Sequence, residues 1–252
     1  MGCAAKLSNL HERVQMSTST GLRSNIMADR GRTERDNDES FTESNHFTLT
    51  YTTTDLHNFL RTRRSVRRFK PDPVAESVIE NVLSTVTYAP SAHNRQPWRF
   101  VVLTDASIKT QLADSMGEDF ERDLRLDGVA EDKIESQIQR SKIRMTSAPV
   151  VILLCLDMSE MDSYLDEKRQ HAERIMAMQS VAAAGLQLLL AAHAEGLGGV
   201  WVCSPLFAPA AIQRTLKLSQ NWEPQGMFYV GYPGASPKTK ELKDLQSLIK
   251  WL

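Results

Sequence analysis

Cysteine is scarce in this sequence: three in 252 residues, Cys3, Cys155 and Cys203, far apart and with no CxxC pair. That excludes a disulfide framework and a cysteine-based zinc site, and it suits a reducing compartment. An excess of either charge is missing too. Thirty Lys and Arg face thirty-one Asp and Glu, a formal net charge of -1. No overall field therefore gathers nucleic acid or an anionic membrane, and any anion site must be local. Long hydrophobic runs are also lacking. The longest, Val181 to Ala192, contains Gln187 and falls short of the ~20 residues of a membrane span. No positive segment followed by a continuous apolar stretch announces secretion. The opening MGCAAKLS has Lys6 where N-myristoylation wants Ser or Thr. HExxH, GxSxG and GKS or GKT are absent, which removes the familiar zinc-protease, serine-hydrolase and P-loop signatures. The expectation is a cytoplasmic protein that binds neither nucleic acid nor membrane.

What is present divides the chain in two. Residues 1–50 are rich in Ser, Thr, Asn, Asp and Arg and offer almost nothing to bury, so a mostly disordered leader is expected there. Residues 51–252 are expected to form the folded domain. DLHNFLRTR predicts a helix behind a possible Asp55 cap, and VAESVIENVLSTVTYA a second. WRFVVLTD and APVVILLCLD read as buried strands, and GGVWVCS and EPQGMFYVGYP as a third and a fourth apolar strand. One long polar helical region is expected from about Ser107 to Met145, and a mostly apolar helix from Glu167 to Glu195 that Gly196 ends. A short helix, APAAIQRTLKL, precedes the last strand, and a basic tail follows it. Helices alternating with apolar strands predict a sheet flanked by helices, α+β or α/β.

Two segments could carry chemistry. RTRRSVRRFK crowds Arg61, Arg63, Arg64, Arg67, Arg68 and Lys70 around Ser65. Guanidinium groups fork onto phosphate oxygens and a serine hydroxyl adds a hydrogen bond, although a solvated basic loop reads the same way. PSAHNRQPWRF combines turn formers with Asn94 and Gln96, whose amides donate and accept together and suit the edge of a heteroaromatic ring. They equally suit a loop that satisfies its own backbone. His93 reads as a turn residue, and His171 and His193 as ordinary helix residues. Asp119, Asp123 and Asp127 read as a solvated face, with Asp123 a candidate to help contain a substrate.

RRSVRRF, PSAHNRQPW, QSVAAAGLQLLLAAHAEGLG and VGYPGASPKTK stand in the order and spacing of the nitroreductase superfamily, which the chain resembles over residues 55 to 245. Within it, MGEDFERDLRLDGV, GGVWVCSPLF and NWEPQGMFYVGYP look like the C-terminal FMN-binding domain of the bifunctional enzymes that make the 5-deazaflavin coenzyme. Their preceding amide-ligase domain is absent here, so ligase activity does not carry over. The resemblance implies an α/β/α sandwich around a mostly antiparallel sheet, an intertwined homodimer, FMN as cofactor, NAD(P)H as electron donor and a small-molecule acceptor. It implies that Arg63, Arg64 and Ser65 hold the phosphate and ribityl end of the flavin and that Arg67 meets the ring near N1 and O2. Pro90, Ser91, Ala92, Asn94 and Gln96 of the partner subunit would meet the flavin's other face. Val202, Cys203 and Ser204 would lie beside it, with Cys203 as a packing residue where several relatives have Glu. Lys238 and Lys240 would return to the phosphate. No residue is then needed as general acid or nucleophile, because the flavin carries the redox chemistry.

Overall fold

The computed structural model describes residues 51–237 and 241–252; the expected leader, Cys3, Lys238 and Lys240 lie outside the described residues. Helix α1 spans Thr53–Thr62. Its cap is Thr52 rather than Asp55. Thr52 Oγ1 accepts from the Asp55 N–H and the Asp55 carboxylate accepts from the Thr52 N–H, each at 3.2 Å. This capping box uses Asp55 at the third helical position, so the cap read from the sequence stood three residues late. Helix α2, Glu76–Val86, buries Ile79, Val82 and Val86 on one face.

The region from Ser107 to Met145 forms two helices, α3 (Ala106–Leu126) and α4 (Glu131–Thr146). Gly128, at φ +72, turns the chain between them. The N–H groups of Gly128 and Val129 close the end of α3 on the carbonyls of Arg125 and Leu124, both at 3.0 Å. Helix α5, Glu167–Ala194, ends in the same way at Gly196. Alone among the described residues it is long and apolar enough to cross a membrane, which the run-length reading did not expect. Its Ala177, Val181, Ala184 and Leu188 are nonetheless buried in the protein core.

Four strands, β1 (Trp98–Leu103), β2 (Val150–Asp157), β3 (Gly198–Val202) and β4 (Trp222–Gly231), pair antiparallel in the order β1-β2-β4-β3. The layered helix and sheet architecture is as expected. Ile152, Leu154, Leu156, Phe228 and Val230 share one core with α2 and α5. The alternate residues Val151, Leu153, Cys155, Met227 and Tyr229 share the other with α3, α4 and helix α6 (Pro209–Leu216). This is the period-two alternation of a sheet covered on both faces. β2 is buried throughout. β1, expected to be buried, is an edge strand with Val102 exposed; an apolar run does not reveal how many neighbours a strand has. Burial lowers the pKa of Lys109 on α3, whose ammonium donates to the carbonyls of Ala148 and Pro149 at 2.7 and 3.2 Å. That ties α3 to the segment joining α4 and β2.

Candidate cofactor and substrate site

The cation cluster lies along the free edge of β3. Ser65 pairs in parallel with Gly199, and the Val66 N–H donates to the Gly199 carbonyl at 3.0 Å. The chain then crosses to the end of β4, where Lys70 N–H donates to the Tyr232 carbonyl and Gly234 N–H to the Arg68 carbonyl, both at 2.9 Å. Val66 is the buried anchor of this strap. A Cβ on Gly198 would stand 2.7 Å from the Val66 Cβ, so only glycine lets the strap seat against the strand. With Val66 inward, Ser65, Arg67 and Arg68 are exposed and Arg63 and Arg64 half-buried. Arg64 Nη1 donates to the carbonyls of Arg61 and Arg63.

Among the described residues none of Arg61, Arg63, Arg64, Arg67, Arg68 and Lys70 forms an ion pair. Elsewhere in the domain most arginines do. Six cations without an ion pair among the described residues, in one segment with the Ser65 hydroxyl, form a donor set suited to a phosphate dianion and a polyol. The residues present therefore fit the phosphate and ribityl end of FMN. His193, at the end of α5, stacks on Phe59 at 5.0 Å and lies 3.1 Å from Thr62 Oγ1. Burial, and then the charge of Arg63, hold its pKa below the usual histidine value.

The PSAHNRQ loop is built differently. His93, Asn94 and Gln96 all have φ near +50, a conformation that is uncommon outside glycine and costs of order 1–3 kcal/mol each unless its surroundings enforce it. Contacts within the loop and to α5 enforce it. Ser91 Oγ accepts from the Gln96 N–H at 3.1 Å, and Gln96 Nε2 donates to Asn94 Oδ1 at 3.1 Å. Ala92 N–H donates to Ser180 Oγ on α5 at 3.0 Å. Arg95 pairs with Asp162, whose own N–H donates to Oε1 of the fully buried Glu173 at 3.2 Å. Of the predicted site residues, Ser91 and Ala92 thus shape the loop, while Pro90 and Asn94 are exposed and Gln96 half-buried.

One chain does not bring the two segments together. Thr62, three residues before the strap, meets His193, and the loop meets Ser180, thirteen residues apart on α5, or about 20 Å along a helix axis; among the described residues no hydrogen bond or ion pair links strap and loop.

Val202, Cys203 and Ser204 lie where the β3–β4 pairing ends at Val202 opposite Met227. Cys203 and Ser204 are exposed. They form one wall of a cavity of about 470 Å3 between α3, α4 and the 203–208 turn. Asp123 lines it, as does each of Asp119 and Asp127, so this acidic face borders a cavity rather than only solvent. Met116, Phe120 and Phe207 supply much of the apolar wall.

Sequence reasoning missed these aromatic walls and the anchors Ser180, Asp162 and Glu173. Ser180 had left a signal: a lone hydroxyl on the buried face of an otherwise apolar helical stretch. The cavity left none, since its walls come from segments up to about ninety residues apart.

Comparison with known proteins agrees with this fold. The family model described as the nitroreductase family matches residues 60–232. A Bacillus subtilis protein named as an NAD(P)H nitroreductase, YfhC, is 27% identical over 186 residues, covering 74% of this chain and 88% of its own. A Thermus thermophilus NADH dehydrogenase is 27% identical over 213 residues, covering 75% and 92%. Among solved structures, one from Desulfovibrio desulfuricans in complex with FMN superposes with a TM-score of 0.60 at 24% identity, covering 79% of this chain and 96% of that one. At that identity it speaks for the fold.

Proposed function

The chain belongs to the nitroreductase family and is a flavin-dependent oxidoreductase; from that premise we propose that it binds FMN between two copies of itself and passes electrons from NAD(P)H to an electron-poor small molecule, such as a nitroaromatic or a quinone, in a ping-pong cycle. When bound, FMN supplies the two-electron chemistry, so the protein's task is to hold, orient and polarise it. The observation that carries the reading is the strap beside β3, whose cations form no ion pair among the described residues, with Ser65 among them.

Arg63, Arg64 and Ser65 take the phosphate and ribityl end in this reading, and Lys238 and Lys240 add charge there. Arg67 takes the N1 and O2 edge. Negative charge gathers at that edge on reduction, and a fixed guanidinium favours it. The loop at 90–96 serves the neighbour's site, which accounts for its distance from the strap in its own chain. Ile175, Met178 and Leu186, exposed on α5, supply an apolar stripe for the second copy to cover. Val202, Cys203 and Ser204 pack beside the ring. The test is titration of the full chain with FMN followed by anaerobic addition of NADH or NADPH. Bound flavin that bleaches within seconds supports the reading; a protein that does not take up FMN overturns it.

A narrower reading makes the acceptor a dehydro precursor of the 5-deazaflavin coenzyme. It rests on the acidic segment from Met116 to Val129, part of which lines the cavity. Titration with that coenzyme tests it, and no binding removes it.

A further inference from the structure

Resting on the flavin reading above, we propose that the cavity beside Cys203 and Ser204 is the acceptor site and that it selects flat aromatic molecules carrying positive charge over those carrying a carboxylate. Its volume of about 470 Å3 lies within the ~300–1,000 Å3 usual for small-molecule sites and accommodates a substituted aromatic ring. Its place is informative. Cys203 and Ser204 belong both to its wall and to the segment assigned to the flavin's edge, so an occupant touches the same residues as the cofactor.

The lining sets the ligand class. Met116, Phe120 and Phe207 offer apolar and aromatic surface, which takes a flat ring and, through the aromatic faces, an attached cation. Asp119, Asp123 and Asp127 recur at four-residue intervals and present three carboxylates to the same space, whereas no Lys, Arg or His lines it. Arg122, which does not line the cavity, pairs with Asp119 at 2.6 Å and reaches Asp123 at 3.5 Å. It is largely exposed, so solvent and salt weaken its compensation. Asp127 forms no ion pair among the described residues. A carboxylate entering here meets like charge in a partly desolvated space, and a cation meets its complement.

The experiment compares three acceptors built on one nitrophenyl ring, 4-nitrobenzyltrimethylammonium, 4-nitrobenzyl alcohol and 4-nitrobenzoate, on the FMN-loaded full chain. Binding is measured by calorimetry and turnover as kcat/KM with NADPH. The cation is expected to bind at least roughly tenfold more tightly than the carboxylate at low salt, with a smaller ratio at ~0.5 M salt. In the Asp119→Asn/Asp123→Asn double variant the ratio should fall to about threefold or less, and Asp127→Asn alone should lower it in the same direction. Equal or tighter binding of 4-nitrobenzoate, or a preference unchanged in the double variant, overturns the proposal. Failure of the flavin reading shows separately, as a chain that neither binds FMN nor consumes NADPH, while the calorimetric preference is still read on the protein as purified.

Discussion

Ser180 on α5 accepts a hydrogen bond from the backbone N–H of Ala92 at 3.0 Å and donates its own proton to the Met176 carbonyl at 2.8 Å. A core helix thereby holds a loop whose left-handed residues would not keep that conformation unaided. Ser180→Ala leaves a part-buried amide without an acceptor, which costs about 1–3 kcal/mol. Urea unfolding should show the loss, and flavin fluorescence should show weaker FMN uptake if the loop completes the neighbour's site. Unchanged stability together with unchanged uptake would mean that Ser180 does not hold the loop.

Gly185 faces the ring of Trp201. A Cβ there would lie 2.7 and 2.8 Å from two ring carbons and 3.0 Å from Phe228 Cζ. Gly185→Ala should therefore overpack the junction of α5, β3 and β4, at a cost of about 1–3 kcal/mol. The same ring also packs against Gly226, where a Cβ would collide with Trp201 Nε1, so it has little freedom to move aside. Chemical denaturation read by tryptophan emission checks this, and a midpoint equal to the parent's would contradict it.

Arg63→Ala removes a half-buried guanidinium from the set that faces the flavin phosphate in the proposed site. Charge-assisted hydrogen bonds contribute about 1.5–3 kcal/mol, so the FMN Kd should rise roughly tenfold to a hundredfold. The parent's own affinity should fall with added salt more steeply than the variant's. Equal affinities in the two proteins would remove Arg63 from the site.

His193 makes the fold sensitive to acid. Burial and Arg63 lower its pKa in the folded chain, while the unfolded chain keeps the ordinary value of 6.5. The unfolded state therefore takes up the proton first as pH falls. The contribution is fully present above 6.5 and is lost as pH drops through the lowered folded value. His193→Phe keeps the contact with Phe59 and removes the titration. Between pH ~7.5 and ~5 its stability should decline less than the parent's in urea melts; parallel declines would show that other groups dominate.

The sheet strands were legible wherever apolar runs were unbroken, as in Val150–Asp157. Which strand is an edge was not, because β1 and β2 have similar composition and differ only in their neighbours. The break between α3 and α4 was marked by Gly128, yet the N-cap of α4 is Ala130, whose methyl side chain cannot cap, so the second helix announces itself weakly. For the site, the density of arginine in 61–70 was plain, but the absence of counterions depends on where the folded chain puts its carboxylates. Asn94 and Gln96 were legible as amides. Their left-handed backbone was not, since it comes from contacts with Ser91 and Ser180 rather than from local preference.

The strap from Ser65 to Lys70 also covers the edge of β3 at Gly199, where unpaired peptide groups would otherwise face any passing strand. In the proposed flavin site, cofactor capture and protection of this edge therefore share one segment, Arg63 to Lys70. Changes at Val66 or Gly198, which seat the strap, should turn up as insoluble protein before they turn up as an empty flavin site, and charge variants that leave Val66 in place should separate the two effects.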